Sequence, residues 1–115
     1  MRVRLELNQV WTNLLDNAID ALGEAGTITI ATAPWHEMGV EVTIADDGPG
    51  IPEDTQRRVF EPFFTTKAVG SGTGLGLDTT LRIVRDRHHG DVALTSRPGE
   101  TAFTVRLPHS PQRSA

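Results

Sequence analysis

The stretch from Leu5 to Leu22 constrains the fold more than any other part of the chain. Its apolar members Leu7, Val10, Trp11, Leu14, Leu15, Ala18, Ala21 and Leu22 recur at intervals of three and four, which places them along one broad stripe of an α-helix. A helix with such a stripe gains its stability by laying it against a second layer. The rest of the sequence supplies one. Gly23 and Gly26 end the helix, after which Thr27 to Thr32 and Val40 to Asp46 alternate with period two, as half-buried strands do. A loop is predicted between them around Pro34 and Gly39. A second helix is predicted from about Gly74 to His89, with Leu77, Leu81, Val84 and His88 as its inner face and Gly90 as its stop. Two further strands, Val92 to Ser96 and Thr101 to Leu107, follow across the turn Arg97-Pro98-Gly99-Glu100. The expectation is a single α/β (α+β) domain built as a two-layer sandwich, with a sheet of at least four strands and helices on one face.

Composition narrows the function classes. A chain of 115 residues, 37% hydrophobic and 23% charged, has room for one core that needs no metal or disulfide support, and it contains no cysteine. No apolar run approaches the roughly 20 residues of a membrane helix, so no membrane contact is expected. Met1-Arg2-Val3-Arg4 leads straight into helical sequence without a signal-peptide pattern, and a cytoplasmic setting is expected. The net charge of -4 comes with no basic block, which argues against nucleic acid as a partner. Residues 1–107 read as the domain and 108–115 as a disordered tail.

Three segments carry chemistry. On the first helix, Gln9, Asn13, Asn17 and Asp20 fall along one side, at the rim of the apolar stripe. Asn17 offers a neutral oxygen of the kind a hard cation such as Mg²⁺ accepts, although asparagines four apart on a helix flank are more often solvated or capping residues. The inward phase of Val40, Val42 and Ile44 continues onto Asp46, while Asp47 falls on the other side. A carboxylate aimed inward needs a donor such as the exocyclic amine of adenine. In Asp46-Asp47-Gly48-Pro49-Gly50 the two glycines allow a sharp turn and close backbone approach to a flat ligand, although an Asp-Gly turn ending a strand has the same composition. Finally, residues 47 to 73 are dense in Gly, Pro, Ser and Thr, with a short helical piece near Glu53 to Val59 and an exposed-looking cluster Phe60-Glu61-Pro62-Phe63-Phe64. This long irregular stretch reads as a lid. It runs through Gly70-Ser71-Gly72-Thr73-Gly74-Leu75-Gly76-Leu77 into the second helix, where free N–H groups favour phosphate. It follows a loop rather than a strand and lacks a Lys-Ser/Thr ending, so neither a Rossmann fingerprint nor a P-loop fits. Lys67 is placed to add charge, or to be solvated.

In this order the segments resemble the GHKL ATPase superfamily, and specifically the catalytic domain of sensor histidine kinases. Gln9 to Ala18 is similar to the family's N box, Asp46 to Gly50 to its G1 box, Phe60 to Phe64 to its F box and Gly72 to Leu77 to its G2 box. The resemblance covers nearly the whole chain. It implies a two-layer sandwich with a mixed, mostly antiparallel sheet and a pocket for ATP and Mg²⁺. The implied pocket comprises Asn13, Asn17, Asp46, Gly48, Gly50, Ile51, Lys67, Gly72, Thr73, Gly74, Leu75, Gly76, Leu77 and Thr101, with Asn17 on the metal and Asp46 on adenine. Thr101 also shares the inward phase of Phe103 and Val105.

Hydrolytic members of the superfamily carry a glutamate one turn before the metal-binding asparagine. Here that residue is Asn13, and an amide cannot take the proton a general base must take. The resemblance therefore implies a kinase that holds ATP intact for an outside acceptor. The departures are a single glycine, Gly99, near the last strands, and the acid Asp20 where many members have a basic or amide residue. The strand and dimerisation helices that precede the N box in the family are also missing, so the chain is expected to be a piece of a longer protein.

The four histidines do not supply the acceptor. His36 is read in a turn, His109 in the tail and His88-His89 at a helix end, where cations suit the dipole. The expected partners are a dimerisation and histidine phosphoacceptor domain, from the same full-length protein, and a response regulator downstream. The alternatives are an anti-sigma-factor serine kinase of the same superfamily, or a nucleotide-binding module without turnover.

Overall fold

The structure is a computed structural model that describes residues 5–61 and 76–109, with side chains from Leu7 in the first stretch and from Leu77 in the second. The amphipathic stripe folds as predicted into α1, Leu5–Leu22. Gly23 ends it with φ of 69° and donates its N–H to the Ile19 carbonyl at 3.3 Å, the left-handed helix stop that glycine adopts without a Cβ penalty. The remaining elements are β1 (Ile28–Trp35), β2 (Gly39–Asp46), the single turn α2 (Glu53–Gln56), α3 (Gly76–Arg82), β3 (Asp91–Arg97) and β4 (Glu100–Pro108).

The four strands form one sheet in the order β1-β2-β4-β3, and all three pairings among the described residues are antiparallel. Where the resemblance implies a mixed sheet, no parallel pair occurs in these segments. The register sets three rows across the helix-facing side. They are Ile28, Asp46, Thr101 and Ser96; then Ile30, Ile44, Phe103 and Leu94; then Thr32, Val42, Val105 and Val92. The first row is largely polar and the other two largely apolar. α1 presses Val10, Leu14 and Ala18 onto the apolar rows, and Val84 joins them from the second helical segment. Each such side chain removed from water contributes roughly 1.5–3 kcal/mol.

Several expectations shift at the edges. The predicted loop at Pro34 is strand: Pro34 pairs with Val40, and the connection shrinks to His36–Met38, closed by the Met38 N–H on the Trp35 carbonyl at 3.0 Å. β1 is an edge of the sheet, where a residue without an N–H is tolerated. No described helix covers this edge, and Ile30 is 58% and Val40 39% exposed although both lie on the helix-facing side. Pro108, assigned to the tail by sequence, belongs to β4, and the His109 N–H donates to the Met38 carbonyl at 2.7 Å. Phe60 is not an exposed aromatic: its ring meets Phe103 edge-on, with centroids 6.2 Å apart and planes at 88°. Pro62, Phe63 and Phe64 lie outside the described residues.

The second helix departs most from a regular reading. α3 continues past Arg82 as a π-helical turn, Ile83–Arg87, a wider winding that is rare inside helices. Its end is a left-handed residue, as expected of a helix stop, but that residue is His89, with φ of 60°, and not Gly90. Gly90 serves instead as a close approach, because a Cβ there would lie 2.0 Å from the Arg106 carbonyl oxygen of β4. A side chain in the left-handed region is strained where glycine is not. His89→Gly is accordingly expected to raise stability by about 0.5–1 kcal/mol, read as a higher urea midpoint at unchanged slope.

Candidate functional site

Asp46 is the inward carboxylate that the strand phase predicts. It ends β2, is 6% exposed, and sits in register between Ile28 and Thr101. Its Oδ1 accepts the Gly48 N–H at 2.9 Å, which partly offsets the cost of burying the charge. The glycines of the following loop are dictated by what they touch. A Cβ on Gly48 would lie 2.9 Å from Asp46 Oδ1 and 3.1 Å from the Ala21 carbonyl oxygen of α1. At Gly50, φ is +89° and a Cβ would meet the Arg97 carbonyl oxygen at 2.4 Å. The loop is thus wedged between the last turn of α1 and the β3–β4 turn. Asp47, exposed as predicted, pins the start of β1: its Oδ1 accepts the Thr27 N–H at 2.9 Å.

Beyond the wedge, Ile51 packs partly buried against the core. Its N–H donates to Ser96 Oγ at 2.8 Å, and Ser96 Oγ also lies 3.0 Å from Thr101 Oγ1. Thr101 is 4% exposed, in phase with Phe103 and Val105. Gln56 closes this corner by donating to the Ile51 carbonyl at 2.7 Å. Ser96 and Gln56 were not singled out by sequence. Ser96 shares the inward phase of Val92 and Leu94, so the same alternation that exposes Asp46 would have found it.

The four polar residues of α1 do not share one environment. Gln9 and Asp20 are exposed, Asn17 is half-buried, and Asn13 is only 4% exposed. Asn13 lies inside the helix pair, where its Nδ2 donates to Thr80 Oγ1 of α3 at 3.3 Å. Asn17 Nδ2 donates to the Asn13 carbonyl at 3.0 Å, which fixes the amide plane and leaves Oδ1 without a hydrogen bond among the described residues. An oriented neutral oxygen fits Mg²⁺, which takes one or two protein oxygens and fills its other positions with phosphates and water. Asn17 stands one helical turn before Ala21, whose carbonyl oxygen lies 3.1 Å from where a Cβ on Gly48 would sit.

Lys67, Gly72, Thr73, Gly74 and Leu75 lie outside the described residues. Gly76 opens α3, and Leu77 packs partly buried against the core. An open groove of about 540 Å³ is lined by Thr27, Thr29, Ala45, Asp46, Asp47 and the 97–100 turn. Of its charged groups, Asp47 is engaged with Thr27 and Arg97 with Glu100 at 3.1 Å. No group of three or more His, Cys, Asp or Glu among the described residues is arranged to hold a metal, and no described helix is long and apolar enough to cross a membrane.

Comparison with known proteins agrees with this fold. The profile described as histidine kinase-, DNA gyrase B- and HSP90-like ATPase matches residues 2–111. The signal transduction histidine-protein kinase AtoS of Escherichia coli is 45% identical over 107 residues, which is 92% of this chain and 17% of AtoS. The nucleotide-free catalytic domain of histidine kinase ThkA superposes with a TM-score of 0.84 at 38% identity, covering 95% of this chain and 70% of that one. ThkA has also been solved in complex with the response regulator protein TrrA, with a TM-score of 0.75 at 34% identity over 93% of this chain and 29% of that one. Full-length ShkA in complex with AMPPNP matches with a TM-score of 0.75 at 30% identity, over 90% of this chain and 21% of that one. This chain therefore spans about a sixth of the length of AtoS, and it belongs to the histidine kinase-, DNA gyrase B- and HSP90-like ATPase family, in its sensor histidine kinase branch.

Proposed function

We propose that the chain binds Mg-ATP and positions its γ-phosphoryl group for transfer to a histidine on a separate dimerisation and phosphoacceptor domain in two-component signalling. The observation that carries this reading is the buried carboxylate of Asp46. One of its oxygens is held by the Gly48 N–H, and a carboxylate retains further acceptor capacity for a ligand N–H₂ such as the exocyclic amine of adenine. The AMPPNP bound by the similar ShkA supports the nucleotide class.

Asn17 is the residue proposed to hold Mg²⁺ through Oδ1. The metal supplies charge neutralisation for the phosphates when bound. What the chain itself does is hold and orient: Asp46 selects the base, and Asn17 is fixed by its bond to the Asn13 carbonyl. The residue one turn before Asn17 is an amide, buried and bonded to Thr80. It cannot deprotonate water, so a pocket of this kind keeps ATP for an acceptor instead of hydrolysing it quickly. The acceptor histidine lies on another domain in this reading, and the downstream partner is a response regulator, as ThkA pairs with TrrA. With ATP as substrate, the reading places the domain in the cytoplasm.

Asp46→Asn replaces an acceptor by a donor facing adenine's own N–H₂. ATP affinity, followed by fluorescence of a labelled nucleotide, is expected to fall at least tenfold, in line with the roughly 1.5–3 kcal/mol of a hydrogen bond to a charged group. Retained affinity would remove Asp46 from the site. Asn17→Ala is expected to leave metal-free nucleotide binding within about twofold and to abolish most of the gain on adding Mg²⁺, worth about tenfold or more. Phosphotransfer is checked by mixing the chain with γ-labelled Mg-ATP and an acceptor domain. Acid-labile label on the acceptor histidine is the expected result, whereas acid-stable label on a serine of a protein partner would replace this function by that of a serine kinase.

A further inference from the structure

Ser96 Oγ has its full set of hydrogen bonds. It accepts the Ile51 N–H at 2.8 Å, donates to the Glu100 carbonyl at 3.1 Å and lies 3.0 Å from Thr101 Oγ1. A hydroxyl has one proton to donate and two lone pairs to accept with. With the proton on Glu100 and one lone pair on Ile51, Ser96 keeps a single lone pair for Thr101, so the proton between the two hydroxyls is that of Thr101. The opposite arrangement strands a donor. If Ser96 donated to Thr101, the Thr101 O–H would have no acceptor among the described residues, and Thr101 is only 4% exposed. A buried donor without a partner is costly. Thr101 Oγ1 therefore offers lone pairs, and no proton, to a neighbouring ligand.

Thr101 and Asp46 are direct cross-strand partners of β4 and β2 on the helix-facing side, and the Cβ atoms of such a pair lie about 4.5–5.5 Å apart. Asp46 Oδ1 accepts the Gly48 N–H, and the carboxylate retains further acceptor capacity. Side by side, the two form a wall of acceptors. An amino group has two hydrogens and can serve both, whereas a keto oxygen in its place serves neither. We propose that Ser96 is a positioning residue for base selection: by taking the Thr101 proton it makes the Asp46–Thr101 pair favour a 6-amino purine over a 6-keto purine. The inference rests on the Mg-ATP reading above and deepens it. Asp46 by itself does not make this choice, because a carboxylate also suits the ring N–H of a keto purine. A Thr101 with its proton free would complete that alternative by donating to the keto oxygen.

Inosine triphosphate carries a keto oxygen in place of the amine of ATP and shares its ribose and phosphates. In competition with a labelled nucleotide on the 115-residue chain, wild type is expected to favour ATP, and Ser96→Ala to lower that preference about tenfold. Ile51 loses its acceptor in the same variant, but a loosened loop weakens both nucleotides alike and cancels in the ratio. Ser96→Thr, which keeps the hydroxyl, retains the wild-type ratio. Ser96→Cys, only a weak acceptor, shifts the ratio as alanine does and serves if the alanine variant does not fold. The proposal is overturned if the alanine and cysteine variants keep the wild-type ratio, or if the threonine variant loses it as they do. A wild type that binds ATP and inosine triphosphate equally overturns the proposal and leaves the Mg-ATP reading standing. One that binds neither overturns both.

Discussion

A single carboxylate at the end of an apolar strand face governs the arrangement of this domain. Asp46 follows Ile44 inward, into surroundings where an ionised group persists only with hydrogen-bond donors close by. The Gly48 N–H is one donor, and delivering it requires the chain to double back at once. That return is possible only because Gly48 and Gly50 lack the Cβ atoms that would strike Ala21 and Arg97. The same two contacts fix the height of α1 above the sheet and the position of the β3–β4 turn. Relative placement of three elements thus follows from the need to satisfy one buried charge.

The site is continuous with the core rather than carved into it. Moving along the helix-facing side of the sheet, the rows pass from Val92, Val105 and Val42, through Leu94, Phe103 and Ile44, to Ser96, Thr101 and Asp46. α1 makes a parallel change along its own length, from Val10 and Leu14 to Asn17 beside the wedge. Two apolar surfaces converge and become polar at the same end, so the packing that holds the domain together also aims the groups a ligand would meet. Ser96 Oγ, shared by the Ile51 N–H and the Glu100 carbonyl, ties the loop after the wedge to this row.

What the sequence made legible was phase. Alternation along β2 and β4 placed Asp46 and Thr101 indoors, and the helical stripe placed Val10, Leu14 and Ala18, because side-chain direction within one element is a local property. Relations between elements were harder. Asn13 was read at the rim because helical angle alone cannot say that α3 arrives with a hydroxyl to receive it, and Thr80 went unremarked for the complementary reason. Phe60 looked exposed until Phe103 came up against it from a strand more than forty residues away. The π-helical turn at Ile83–Arg87 left no mark in the apolar periodicity, since Val84 falls on the inner face under either winding.

Pro34 has a consequence for how the domain coexists with other chains. Among the described strands β1 borders the sheet, and its sequence, Ile28-Thr29-Ile30-Ala31-Thr32-Ala33-Pro34-Trp35, is of the β-prone, uncharged kind that recruits further strands edge to edge. The proline interrupts that edge with a position that has nothing to donate. An incoming strand would have to break register there, next to Trp35 and the His36–Met38 turn. The residue that disguised the end of β1 as a loop is one that makes this edge a poorer template for aggregation.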